Sequence, residues 1–175
     1  GNAASATGTA VGEGGVVKLI GHSTSVWGVA AADDGQVLTG SRDKTVKVYR
    51  GDELVRTIEA HTDIVSAVAV LPGGARFISC GGTTAKLFTF GGELERTFEV
   101  GSDVVCVAAL PDGVHFVVGL NNADGQVRLY HVDGTLVHTF KGHTSVVWAL
   151  AVTPDGQHII SYEAYGSDQF VKVWS

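Results

Sequence analysis

The chain has 175 residues, 45% of them hydrophobic and 17% charged, enough for one domain with a real core and unlike a collagenous or low-complexity sequence. Its formal charge of −6, with twelve Lys and Arg scattered and unclustered, argues against a nucleic-acid surface, which needs several cations on one face. No apolar run approaches the roughly 20 residues that span a bilayer, and no charged start followed by an apolar stretch marks a signal peptide.

Residues 1–15 are mostly Gly, Ala, Ser and Thr, with little apolar body to offset chain entropy by burial. They are expected to be a linker, a tag or a flexible arm. The absence of an initiator Met suggests a processed chain or part of something longer. Val16 to Ile20 follows as a strand-like run ending at Gly21-His22.

The stretch from Gly21 to Tyr49 then sets a pattern. An apolar run (Val26 to Ala32) turns at Asp33-Asp34-Gly35, a second run (Val37 to Ser41) turns at Arg42-Asp43-Lys44, and an alternating third run covers Thr45 to Arg50. Three short strands in succession predict a meander.

The pattern returns three times. His22, His61, Gly101 and His143 stand 39, 40 and 42 residues apart and open the same grammar. Five positions on stand Trp27, Ser66, Cys106 and Trp148, and eight positions on stand Ala30, Ala69, Ala109 and Ala151. An Ala in every copy predicts a first strand packed too closely for a larger side chain. The first reversals are Asp34-Gly35, Gly73-Gly74, Asp112-Gly113 and Asp155-Gly156, and the third strands end in Tyr49, Phe88, Tyr130 and Trp174. A fourth run follows the first three of these: Leu54 to Ile58, Leu94 to Phe98 and Thr135 to Phe140.

A period near 40, four strands per repeat, a Gly-His dipeptide and a Val-Lys-Val-Trp ending resemble the WD40 family of β-propellers over about residues 16–175. The resemblance implies an all-β fold, a WD40-like β-propeller of four blades, each a four-stranded antiparallel sheet. Gly-His stands at Gly21-His22 and Gly142-His143, becomes Ala60-His61, and is lost at Val100-Gly101. The family's tight-turn Asp matches Asp43, Asp124 and Asp168, with Gly82 in copy two; the Trp-Asp pair itself is nowhere intact, the nearest being Trp174-Ser175.

The chain opens on one spare strand and stops after the third strand of its last repeat. The N-terminal strand is therefore expected to complete the last blade, in cis or in trans, removing open sheet edges. Four blades are about half the common ring. They could close alone, join a second chain in an eight-bladed ring, or form a segment of a longer propeller.

In the resembled family the His, a strand hydroxyl, the turn Asp and the strand-end aromatic form a buried hydrogen-bond network. That implies a structural role for His22, Asp43, His61, Asp124, His143, Asp168 and Trp174, although a His oriented by a carboxylate also suits a nucleophilic triad. Ser41 or Thr39 could supply the hydroxyl in copy one. Copies two and three each lack one member and are expected to be softer, unless Thr83 or Thr84 replaces the Asp beside His61.

No catalytic residue, metal-ligand set or cofactor loop is expected. The seven His are spread along the repeats, and the Gly pairs lack the Lys-Ser/Thr of a phosphate loop. Binding is expected instead where loops depart from the repeat. Tyr162 and Tyr165 lie in an insert, Trp27 and Trp148 begin first strands, and Arg42 and Lys44 flank Asp43 on a shared rim. The expected function is a non-enzymatic scaffold that holds a protein or peptide partner, or another copy of itself, in the cytoplasm; Cys80 and Cys106, in no Cys-x-x-Cys spacing, fit core thiols in a reducing compartment.

Overall fold

A computed structural model describes residues 16–164 and 170–175, with the backbone of 11–12. Among these residues there are strands and turns and no helix. Blade 1 is β3 (Val26–Ala31), β4 (Gln36–Ser41), β5 (Thr45–Arg50) and β6 (Glu53–Glu59), and blade 2 is β7 (Val65–Val70), β8 (Arg76–Gly81), β9 (Thr84–Thr89) and β10 (Leu94–Glu99). Blade 3 is β11 (Asp103–Ala109), β12 (His115–Asn121), β13 (Val127–His131) and β14 (Leu136–Phe140). Blade 4 has three strands among the described residues: β15 (Val147–Val152), β16 (Ile159–Glu163) and β17 (Val171–Trp174).

All pairings are antiparallel meanders in sequence order. In blades 1, 3 and 4 the reversal between the first two strands is built by an Asp side chain and a Gly. Asp34 Oδ1 accepts the Gln36 amide at 3.1 Å, Asp112 Oδ1 the Val114 amide at 2.9 Å, and Asp155 Oδ1 the Gln157 amide at 3.0 Å. The following residues, Gly35, Gly113 and Gly156, hold φ of 82°, 72° and 71°, the left-handed region where a side chain is disfavoured.

Each first strand carries a β-bulge after its opening valine: between Val26 and Gly28, Val65 and Ala67, Val104 and Cys106, Val147 and Ala149. The four valines fix the true phase of the repeat, and copy three differs by one residue from the sequence alignment. Val100, not Gly101, occupies the histidine position, since Val100 N donates to Thr83 O as His61 N donates to Lys44 O. Val105 is the bulged residue, and Ala108, not Ala109, corresponds to Ala30. The slip arose because Gly101 was aligned where a histidine was missing.

Hydrophobic cores lie between neighbouring blades. Leu38, Val46 and Val48 of blade 1 meet Val65, Val68, Phe77 and Phe88 of blade 2. Ile78, Cys80, Ala85 and Leu87 then meet Phe98, Val104, Phe116 and Leu120, and Val117 and Val127 meet Val147 and Ile159. Burying each such side chain contributes about 1.5–3 kcal/mol. The first strands pack side by side, β3 on β7, β7 on β11 and β11 on β15. Their approach is close: a Cβ added to Gly28 would lie 3.0 Å from the Ala67 Cα.

The N-terminal strand is not placed in the last blade in cis. Val16–Val17 (β2) pairs instead with Val11–Gly12 (β1), Val11 opposite Val17, in a separate two-stranded sheet. Val11–Gly12 falls inside the segment expected to be an arm; residues 1–10 and 13–15 lie outside the described residues.

Candidate functional site

Two groups of side chains occupy the end of the blades where β4-type strands turn into β5-type strands: a buried histidine network and an exposed rim. In blade 1 His22 Nδ1 lies 2.8 Å from Asp43 Oδ2, and its Nε2 lies 2.7 Å from Thr39 Oγ1. Thr39 is thus the hydroxyl partner; Ser41 instead donates to Ser25 O at 3.0 Å. Asp43 also accepts the Ser23 amide (3.1 Å), the Thr45 amide (3.1 Å) and the Thr45 hydroxyl (2.7 Å). Burial pushes its carboxyl up, but hydrogen bonds from Thr45, His22 and the amides outweigh that and hold it well below the usual carboxylate range. Tyr49 closes the blade, its hydroxyl donating to Ile20 O at 3.2 Å.

Blade 2 solves the same problem without a carboxylate. His61 Nε2 is 2.9 Å from Ser79 Oγ, and Thr84 Oγ1 is 3.2 Å from its Nδ1. Burial, with Lys86 nearby, pulls the imidazole down to about 4, so it stays neutral at neutral pH. In blade 3 Val100 replaces the histidine. Asp124 is exposed on the loop, and no hydrogen bond or ion pair joins it to a histidine among the described residues. Arg128 ties this blade instead, donating from Nη1 to Val100 O at 2.6 Å while Gln126 Oε1 braces the guanidinium at 2.8 and 3.1 Å.

In blade 4 His143 Nε2 is 2.6 Å from Ser161 Oγ, to which Trp174 Nε1 also donates at 2.8 Å. Asp168 lies outside the described residues, and Glu163 stands beside the histidine. Its fully buried Oε2 accepts the Thr144 and Ser145 amides at 2.6 and 3.0 Å and is 3.5 Å from His143 Nδ1. Burial raises the Glu163 carboxyl, yet the two amides and His143 lower it further than burial raises it. Sequence reasoning passed over Glu163 because it sits in the strand before the turn rather than at the turn Asp position. It also passed over a cation found two residues before every strand-end aromatic: Lys47, Lys86, Arg128 and Lys172. Lys86 donates to Ala60 O at 2.8 Å, as Arg128 does to Val100 O, so this position staples the chain entering its own blade.

The rim lies outside this network. Trp27 and Trp148 are the bulged residues of β3 and β15, 53% and 41% exposed, because a bulge takes a side chain out of the alternation that would bury it. Ser66 and Val105 hold the equivalent places between them. Arg42 and Lys44 are exposed on the β4–β5 turn beside Trp27, and Arg42 N donates to Ser25 O at 3.0 Å. Tyr162 lies in β16 and is 37% exposed; Tyr165 lies outside the described residues. The structure therefore groups Trp27, Arg42 and Lys44 on blade 1 and places Trp148 and Tyr162 on blade 4, with two blades between.

The family model described as "WD domain, G-beta repeat" matches residues 15–50, 52–89, 92–131 and 134–175. The chain belongs to the WD40 family. It is 30% identical over 155 residues to the WD repeat-containing protein WDS homolog of Arabidopsis thaliana, covering 82% of this chain and 30% of that protein. It is 31% identical over 146 residues to Protein DOA1 of Saccharomyces cerevisiae (82% and 20%) and 27% identical over 170 residues to Protein FIZZY-RELATED 3 of Arabidopsis thaliana (91% and 34%). The solved WD40 β-propeller domain of Doa1 superposes with a TM-score of 0.77 at 30% identity, covering 90% of this chain and 53% of that one. The chain thus spans between 20% and 34% of these curated relatives and about half of a solved propeller domain. WD40 propellers are in general protein-interaction scaffolds and non-enzymatic. In this WD40 chain a His–carboxylate pair stands at the sheet ends of blades 1 and 4, and blades 2 and 3 do without one.

Proposed function

We propose that this chain is a non-enzymatic WD40 scaffold that holds a protein or peptide partner on the rim carrying Trp27, Arg42 and Lys44, with Trp148 and Tyr162 contributing on blade 4. The observation that carries this reading is the pair of tryptophans displaced by bulges on an otherwise regular scaffold. A large exposed indole beside two cations suits a segment with an apolar anchor flanked by acidic residues. Both ring nitrogens of His22 are engaged, by Asp43 and Thr39, and His143 is held through its Nε2 by Ser161. Burial raises the Cys80 thiol and pushes Cys106 up to about 12, so neither supplies a thiolate nucleophile at neutral pH.

Both cysteines are free thiols, which supports a reducing, cytoplasmic setting. No helix among the described residues is long and apolar enough to cross a membrane. The test is affinity capture with the parent chain and with a Trp27→Ala, Arg42→Glu, Lys44→Glu variant. Partners held by the parent and lost by the variant, at unchanged thermal stability, are the expected result; an identical set from both removes this rim from consideration. A second reading, an assembly module that completes a ring with other blades, is favoured by the bare outer faces of blades 1 and 4.

A further inference from the structure

The four repeats allow each bare surface to be compared with the same surface elsewhere in the chain. The opening valines of blades 2, 3 and 4, Val65, Val104 and Val147, are 0%, 3% and 0% exposed because each is pressed into the preceding blade; Val26 of blade 1 is 47% exposed. On the opposite face, Val46, Ala85 and Val127 are fully buried under the following blade, whereas Val171, which holds that place in blade 4, is 62% exposed, as is Val173. Among the described residues, blade 4 thus presents a blade-docking face with no blade on it.

Size decides what that face accepts. The residue under the incoming valine is Gly40 in blade 1, Cys80 in blade 2 and Gly119 in blade 3, each paired to the first strand just past its bulge. These sockets are tight: a Cβ on Gly40 would lie 2.6 Å from Val65 Cγ1, and one on Gly119 would lie 2.8 Å from Val147 Cγ1. The same register position in blade 4, opposite Ala149, is Tyr162. The sockets of blades 1 and 3 exclude even a Cβ and that of blade 2 holds only a cysteine side chain, so a phenol ring and a valine cannot share the same space. In every blade of this chain the first-strand residue just before the bulge is valine.

We propose that the blade 4 face formed by Ala149, Ile160, Tyr162, Val171 and Val173 docks a propeller blade whose inner strand opens on a residue smaller than valine, and that Tyr162 there excludes a second copy of this chain. The occupant is a blade of different sequence. The proposal rests on the assembly reading; it shares Tyr162 with the partner-binding reading but not Trp27, Arg42 or Lys44, so its test leaves partner capture out.

The test is the mass of the purified chain by sedimentation as its concentration rises. The parent chain is expected to stay monomeric. Tyr162→Gly opens the socket and Val26→Gly shrinks the incoming residue, and each is expected to raise the weight-average mass toward twofold or more by head-to-tail contact. Adding Val26→Asp to Tyr162→Gly is expected to restore the monomer. Glycine is already the native residue at Gly40 and Gly119, and Tyr162→Cys, copying Cys80, serves as a second variant should Tyr162→Gly unfold. Self-association of the parent chain that Val26→Asp abolishes would overturn the proposal, as would monomers throughout from folded Tyr162→Gly, Tyr162→Cys and Val26→Gly.

Discussion

The two middle blades and the two end blades are stabilised in opposite ways. Blades 2 and 3 are covered on both faces but lack a complete histidine network: His61 has no carboxylate, and blade 3 has Val100 in place of a histidine. Blade 1 hydrogen-bonds His22 to Asp43 and blade 4 sets His143 3.5 Å from the Glu163 carboxylate, yet each leaves one face bare. A charge-assisted hydrogen bond contributes about 1.5–3 kcal/mol. A bare face forgoes comparable amounts at several side chains at once, Val26 and Val29 on blade 1, Val171 and Val173 on blade 4. Packing therefore outweighs the network in ranking the blades.

The largest expected effect follows from that ranking. In hydrogen exchange of this chain, the amides of β8 and β12 should be the slowest, and those of β3 and β17 at least 100-fold faster. The networks considered alone lead to the reverse order, the middle blades being the softer ones. Amides of β4 and β16 exchanging as slowly as those of β8 and β12 would show that the networks, and not the covered faces, set local stability.

Within blade 1 the network can be broken at its centre. Asp43→Ala leaves the Ser23 and Thr45 amides and His22 without their acceptor, and should lower stability by about 3 kcal/mol in chemical denaturation. Because the folded state holds the Asp43 carboxyl below its ordinary value, its contribution is present in full above about pH 4 and is lost as pH falls through the folded value. The parent should therefore lose stability on acidification below pH 4 more steeply than Asp43→Ala. Equal slopes would mean that the carboxylate is not the acceptor holding this corner together.

How much of this was legible in the sequence follows from what each feature depends on. The four meanders could be read because a period near 40, the turn glycines and the strand-end aromatics are local signals. The tight sockets were half visible, since an Ala recurs in each first strand, but Gly40 and Gly119 acquire meaning only when Val65 and Val147 are seen seated against them. Glu163 was hidden because its role comes from the Thr144 and Ser145 amides, which a distant loop brings to it. The N-terminal strand, expected to complete the last blade in cis or in trans, pairs within this chain with Val11–Gly12; sequence shows that Val16 and Val17 want a partner strand without showing which. The one-residue slip in copy three has a similar origin, a bulge being defined by pairing and not by composition.

The smallest effects test how blade 2 manages without a carboxylate. Burial lowers the His61 imidazole to about 4 from an ordinary 6.5, so the unfolded chain binds the proton more readily than the folded one. Its stabilising contribution is complete above about pH 6.5 and is lost progressively as pH falls toward 4, amounting to about 2 kcal/mol between pH 7 and pH 5. His61→Gln should flatten that part of the stability profile, leaving the smaller slope from His143, whose imidazole burial also lowers. Thr84→Val tests the partner directly: it removes the hydroxyl 3.2 Å from His61 Nδ1 while keeping the side chain's shape, and should cost about 1 kcal/mol, a third of the Asp43→Ala loss. A loss as large as that of Asp43→Ala would make a single hydroxyl the equal of a carboxylate that accepts from two amides, a hydroxyl and an imidazole. The contrast between a charged and a neutral blade corner would then collapse.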